Sequence, residues 1–126
     1  MKRLLLVLSL VLVLGIVGCD LFSEAPPYTT ENFTVPPGEK YTVAVELDSG
    51  HTVEGSFSVS GAQNDIDFYI EYTTGLDTTQ VYGVDRAQGG YSFELKAQKS
   101  GTYVLYFDNS FGFGSSRQIS LQYRTR

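Results

Sequence analysis

The chain has 126 residues, 14 of them acidic against 9 basic, with a formal net charge of −5, one cysteine and one histidine. That length supports one domain with a modest core. The sparse, unclustered Lys and Arg exclude a nucleic-acid binder, and a lone cysteine excludes an intramolecular disulfide.

In chain order, Met1 is followed by Lys2, Arg3 and the run LLLVLSLVLVLGIVG, which carries no charge up to Gly18. A basic start followed by a short apolar run is the order of an export signal. A bilayer-spanning helix needs about 20 apolar residues, so this run is too short to span comfortably. Its end, Ile16-Val17-Gly18-Cys19, resembles the lipobox of bacterial lipoproteins. That resemblance implies cleavage before Cys19, a diacylglycerol on its thiol, and an anchor on the extracytoplasmic face of a cell membrane. The alternatives are a plain signal anchor, or a secreted chain whose cysteine happens to fall near the cleavage site. Asp20 resembles the inner-membrane retention signal of cells with two membranes.

Loss of residues 1–18 removes Lys2 and Arg3 and takes the charge from −5 to −7. Charge alone then does not hold the chain to anionic lipid, and the acyl chains must supply the affinity. Residues 19–32, CDLFSEAPPYTTEN, read as the acylated cysteine and a short flexible tether, with the domain proper at 33–126.

From there apolar residues recur at period two between Gly, Asp, Asn and Ser breaks. KYTVAVEL puts Tyr41, Val43, Val45 and Leu47 on one face. TVEGSFSVS alternates Val53, Gly55, Phe57 and Val59 against polar neighbours, and DIDFYIEYT aligns Ile66, Phe68, Ile70 and Tyr72. TQVYGV reads as a short strand. YSFELKA turns Tyr91, Phe93 and Leu95 inward, GTYVLYF is apolar on both faces and therefore central, and RQISLQY aligns Ile119, Leu121 and Tyr123. With NFTV in front this predicts an all-β fold of seven or eight strands, a single antiparallel sandwich or jelly roll, with no helical periodicity. Most aromatic residues fall on inward faces and so build the core, which leaves Tyr69, Tyr82, Phe111 and Phe113 as candidates for exposure.

Residues 100–123, SGTYVLYFDNSFGFGSSRQISLQY, resemble the GOLD domain of the emp24/gp25L/p24 family. The family's Gly-x-Tyr strand start, aromatic strand, Asn-Ser-aromatic turn and basic residue before the last strand correspond to Gly101, Tyr103, Phe107, Asn109, Ser110, Phe111 and Arg117. DIDFYI and GGYSFELKAQKSGTY are similar to earlier family strands, and the likeness runs from about residue 33 to 123. It implies a β-sandwich used for binding. Tyr106 stands where many p24 proteins carry a cysteine, and no membrane helix or sorting tail follows Tyr123, so the resemblance implies the fold and not vesicle-cargo sorting. A second resemblance, to bacterial pre-peptidase C-terminal domains, rests on residues 34–39, Asp65 to Phe68 and the Gly-Thr-Tyr start, and it also implies an accessory sandwich.

His51, in the turn DSGHT, is the sole histidine, so a hydrolytic triad or a zinc site would have to use it. No motif places a nucleophile and an acid around it, and the chain reads as no enzyme. Asp65 and Asp67 leave one face of a strand at i and i+2. They are candidate calcium ligands of the hard-oxygen type, though a solvated acidic face explains the same pattern. No other cofactor is indicated. Asn32 opens an Asn-Phe-Thr sequon, meaningful only in a host that glycosylates exported chains. The loop NSFGFGSS, with Asn109, Phe111 and Phe113, is the candidate surface for a partner, unless the rings fold back onto the sandwich. The expected function is a membrane-anchored extracytoplasmic lipoprotein whose sandwich binds envelope proteins or glycans. The alternative is a calcium- or carbohydrate-binding accessory domain of a secreted enzyme system.

Overall fold

A computed structural model describes residues 26–111 and 114–126; residues 1–25, with Cys19 and most of the stretch read as export signal and tether, lie outside the described residues, as does Phe113. Eight strands follow in order: β1 (Thr29–Val35), β2 (Lys40–Leu47), β3 (Thr52–Ser60), β4 (Asp65–Thr74), β5 (Asp77–Gln88), β6 (Gly90–Lys96), β7 (Gly101–Asp108) and β8 (Arg117–Thr125). They form two four-stranded sheets, ordered β1-β8-β3-β6 and β2-β7-β4-β5, with antiparallel pairing throughout. The described residues contain no helix.

The period-two pattern determines which side chains meet between the sheets. Val43, Val45 and Leu47 of β2, Ile66, Phe68 and Ile70 of β4, Tyr103, Leu105 and Phe107 of β7, and Ile119 and Leu121 of β8 are all buried. At the centre, the ring of Phe68 lies 5.1 Å from Phe57, 4.9 Å from Phe93 and 5.1 Å from Phe107. Contacts of this kind add roughly 0.5–1.5 kcal/mol per pair beyond area burial. GTYVLYF, apolar on both faces, becomes β7, which lies between β2 and β4.

Three expectations shift. First, β1 begins at Thr29, inside the stretch read as tether, because its backbone pairs with β8 from Thr29↔Tyr123 onward. Second, β5 runs 12 residues instead of six. Its pairing with β4 slips twice, at Ile66/Phe68 and at Ile70/Glu71, and these bulges break the alternation a sequence pattern relies on. Third, Tyr82, expected on the surface, is half buried: its ring meets Phe68 at 6.1 Å and its hydroxyl donates to Tyr91 Oη at 3.1 Å. Burial, then that hydrogen bond, pushes the Tyr82 phenol up to about 12.

β4 and β5 are joined by the two-residue turn Gly75-Leu76. Gly75 at φ +57° supplies the left-handed first position that a tight hairpin turn needs. Gly101, at the start of β7, has a different reason: a Cβ there would lie 2.7 Å from the Tyr72 ring, whose hydroxyl donates to the Ser100 carbonyl.

Candidate functional site

One end of the sandwich gathers the β1–β2, β3–β4 and β7–β8 loops and the bulge of β5. Two fully buried polar side chains organise it. Asn109 directly follows β7, and its Nδ2 donates to the carbonyls of Val35 (3.0 Å), Pro36 (3.2 Å) and Ser115 (3.0 Å). Its backbone closes the same junction, donating to Glu39 O at 2.8 Å and accepting from Gly38 N at 3.0 Å. Asn109 therefore ties two loops together and does not face a partner. Its Oδ1 is buried and has no hydrogen-bond partner among the described residues.

Arg117 opens β8 in phase with Ile119 and Leu121, so strand parity turns it toward the interior. Inside, every arm of the guanidinium is held. Nη2 donates to Asp65 Oδ1 (2.6 Å) and Gln63 Oε1 (2.8 Å), Nε to Asp65 O (2.9 Å), and Nη1 to Ser115 Oγ (2.6 Å) and Ser115 O (3.2 Å). A buried cation persists only when paired and fully hydrogen-bonded, as it is here.

Asp65 is shared. Its second oxygen accepts from Arg86 Nη1 at 2.9 Å, and Arg86 N donates to Asp67 Oδ1 at 2.8 Å. The Arg117 hydrogen bond is the largest influence on Asp65 and, helped by Arg86, holds its carboxyl below the usual carboxylate range against the effect of burial. The two carboxylates expected as calcium ligands are thus engaged by arginines and a backbone amide. Among the described residues no cluster of three or more His, Cys, Asp or Glu side chains is placed to hold a metal ion.

Arg86 occupies the first β5 bulge with φ +54°, a conformation rare for a residue with a side chain. Its guanidinium carbon lies 3.5 Å from the centre of the Phe111 ring, while that of Arg117 lies 5.1 Å away. Phe111 is half buried, in contact range of one buried and one half-exposed cation. The sequence singled out Phe111 and Asp65 but not that Arg86 and Arg117 each meet both of them. Arg86 gave no signal at all, and Arg117 was singled out only as the basic residue that the GOLD resemblance places before the last strand, not as a buried partner of Asp65.

The remaining candidates lie elsewhere. Tyr69 is stacked on Tyr106 (4.8 Å, 12°) on the outer face of the second sheet and donates to Asp108 Oδ2 at 3.0 Å; burial, then that bond, raises its pKa. His51 is exposed between β2 and β3, and its imidazole makes no hydrogen bond among the described residues. Asn32 is exposed on β1.

The sequence pattern that defines the emp24/gp25L/p24 family/GOLD matches residues 31–126. The chain belongs to this family. Solved structures with the same fold as this GOLD domain include PliG from Aeromonas hydrophila, a periplasmic inhibitor of g-type lysozyme (TM-score 0.55, 15% identity, covering 83% of this chain and 91% of PliG). PliG from Salmonella Typhimurium is similar (0.52, 16%, 83% and 93%), as is the Yersinia pseudotuberculosis-derived mitogen (0.52, 8%, 79% and 86%). A comparison with curated protein sequences found no match.

Proposed function

We propose that this GOLD domain is a non-catalytic binding module displayed outside the cytoplasm, anchored through acylated Cys19, that meets a protein partner with the pole around Phe111. One observation carries the reading: Phe111 lies against two guanidiniums, one of them half exposed, on loops pinned to the core by Asn109. Aromatic and arginine side chains contribute most at protein interfaces, and a surface ordered before binding loses less entropy on association. Two structural neighbours, the PliG proteins, are periplasmic enzyme inhibitors, which supports a protein partner and an extracytoplasmic setting in general terms. The lipobox and the export signal support the anchor.

The test is a photocrosslinking residue placed at Phe111 in intact cells. A discrete adduct is expected, lost when Arg86→Ala is added and absent when the crosslinker sits at exposed Thr42 on the second sheet. Equal adducts from both positions, or none from Phe111, overturn the reading of this pole; digestion of the adduct by glycosidases instead of proteases assigns the partner as a glycan and overturns the protein partner. For the anchor, intact mass of the membrane fraction is expected to show a chain beginning at Cys19 with acyl mass added. A chain beginning at Met1 in the cytosol ends that part of the proposal.

A further inference from the structure

The opposite end of the sandwich carries features that the binding pole does not use. Seven basic residues lie in the described part of the chain. Lys40, Arg86, Arg117, Arg124 and Arg126 are ion-paired, while Lys96 and Lys99 have no such partner among the described residues. Both free lysines flank the β6–β7 turn. With Tyr72, Val81, Leu95 and Tyr103 they line a cleft of about 360 Å³ between the edge strands β5 and β6.

The large apolar side chains left exposed among the described residues are Tyr28, Leu76 and Val81. All three belong to this half. Leu76 is fully exposed at the β4–β5 hairpin tip, Val81 is on the cleft wall, and Tyr28 comes just before β1. An apolar hairpin tip at the same end of the sandwich as two unpaired lysines is complementary to a bilayer surface, where the leucine enters the headgroup boundary and lysines meet lipid phosphates.

We propose that this end is the face the domain lays against its membrane, with Leu76 entering the interface and Lys96 and Lys99 meeting anionic phospholipid headgroups. The inference rests on tethering through Cys19 and adds the orientation in which the tethered domain is held. Chain reach argues for it. Seven residue steps separate Cys19 from Pro26, at most about 25 Å fully extended. The described chain begins near this end, since Pro26 O accepts from Arg124 Nη1 at 3.4 Å and the Tyr28 ring lies 4.4 Å from the Arg124 guanidinium. Arg124 is next to the last residue of β8, opposite Glu54. Climbing past β1 to the Phe111 pole takes about 23 Å, nearly the whole leash. Leu76 and the lysines stay within reach of the bilayer, and the binding pole faces away from it. Asp48 and Asp77 also sit at this end, so the contact is shallow and orients the domain while the acyl chains supply the affinity.

The protein contains no tryptophan, so Leu76→Trp gives a single reporter at a position with no packing to lose. In the acylated full chain, reconstituted in phosphatidylcholine/phosphatidylglycerol vesicles, Trp emission is expected to shift to the blue and to be quenched by brominated acyl chains. Ala62→Trp, exposed near the Phe111 pole, is expected to stay unquenched. Lys96→Glu with Lys99→Glu is expected to remove most of the blue shift and quenching at position 76 in the acylated chain. An unquenched reporter at position 76, or equal quenching at position 62, overturns the inference.

Intact mass separates the two readings. Acylation without quenching leaves the anchor standing and removes the docking face. Quenching of the unacylated chain by the same vesicles keeps the docking face when the anchor fails. Neither acylation nor quenching sinks both.

Discussion

Arg117 and Asn109 show how single residues hold the binding pole. Because the Arg117 hydrogen bond, with Arg86 behind it, depresses the Asp65 pKa, the folded form favours the carboxylate more than the unfolded chain does. The stability this contributes is complete above the unfolded value near pH 4 and is lost as pH falls through the lower folded value. Urea titrations at a series of pH values are expected to show wild type losing stability below about pH 4, with a shallower loss in Asp65→Asn. An identical slope in the two proteins contradicts the coupling. Asn109→Ala takes the side-chain donor from the Val35 carbonyl and one of two donors from the carbonyls of Pro36 and Ser115, which keep Glu39 N and Arg117 Nη1, and is expected to cost about 1–3 kcal/mol in chemical denaturation. Asn109→Asp directs a carboxylate at those same oxygens and is expected to cost more than the alanine, by at least about 1 kcal/mol. Equal losses would mean that the three donated bonds are not what Asn109 provides.

At the level of elements, β5 sets the arrangement. Its bulge opposite Asp67 turns Arg86 into a left-handed conformation, which costs on the order of 1 kcal/mol, and the Asp67 carboxylate and Phe111 ring hold it there. Arg86→Gly relieves the backbone and gives up a half-exposed ion pair worth little, so its unfolding free energy is expected to stay within about 1 kcal/mol of wild type. Arg86→Val keeps the strain, adds a β-branched side chain and is expected to lose about 1–2 kcal/mol. Thermal unfolding of the two variants, read beside the Phe111 crosslink, separates the fold from the site: the glycine variant should fold normally and yet lose the adduct.

For the whole molecule, two sheets closed over Phe57, Phe68, Phe93 and Phe107 place the binding pole and the chain entry at opposite ends. Phe68, fully buried among the other three, is the core residue whose loss is most damaging. Phe68→Ala is expected to cost about 3–5 kcal/mol, a large share of the 5–15 kcal/mol that holds a domain of this size folded. A urea midpoint unchanged from wild type would contradict the packing described. This is also the scale at which the proposed anchoring gives the domain direction, one end toward lipid and the other toward a partner.

Most strands and their inward faces were readable from period two, because alternation is a local property of the backbone: Val43 and Val45, or Ile66 and Phe68, need no knowledge of the rest of the chain to share a face. The central place of β7 was readable from the opposite sign, a run apolar on both faces. The GOLD resemblance and the resemblance of residues 16–19 to a lipobox were likewise carried by contiguous residues. Three features depended on the tertiary structure: that Arg117 finds Asp65 52 positions away, that Arg86 reaches Phe111 across a bulge, and that Asn109 holds three carbonyls from two loops. Those contacts arise where loops from both sheets converge, and a hydrogen bond between residues so far apart exists only once the sheets have stacked and brought their ends to within 3 Å.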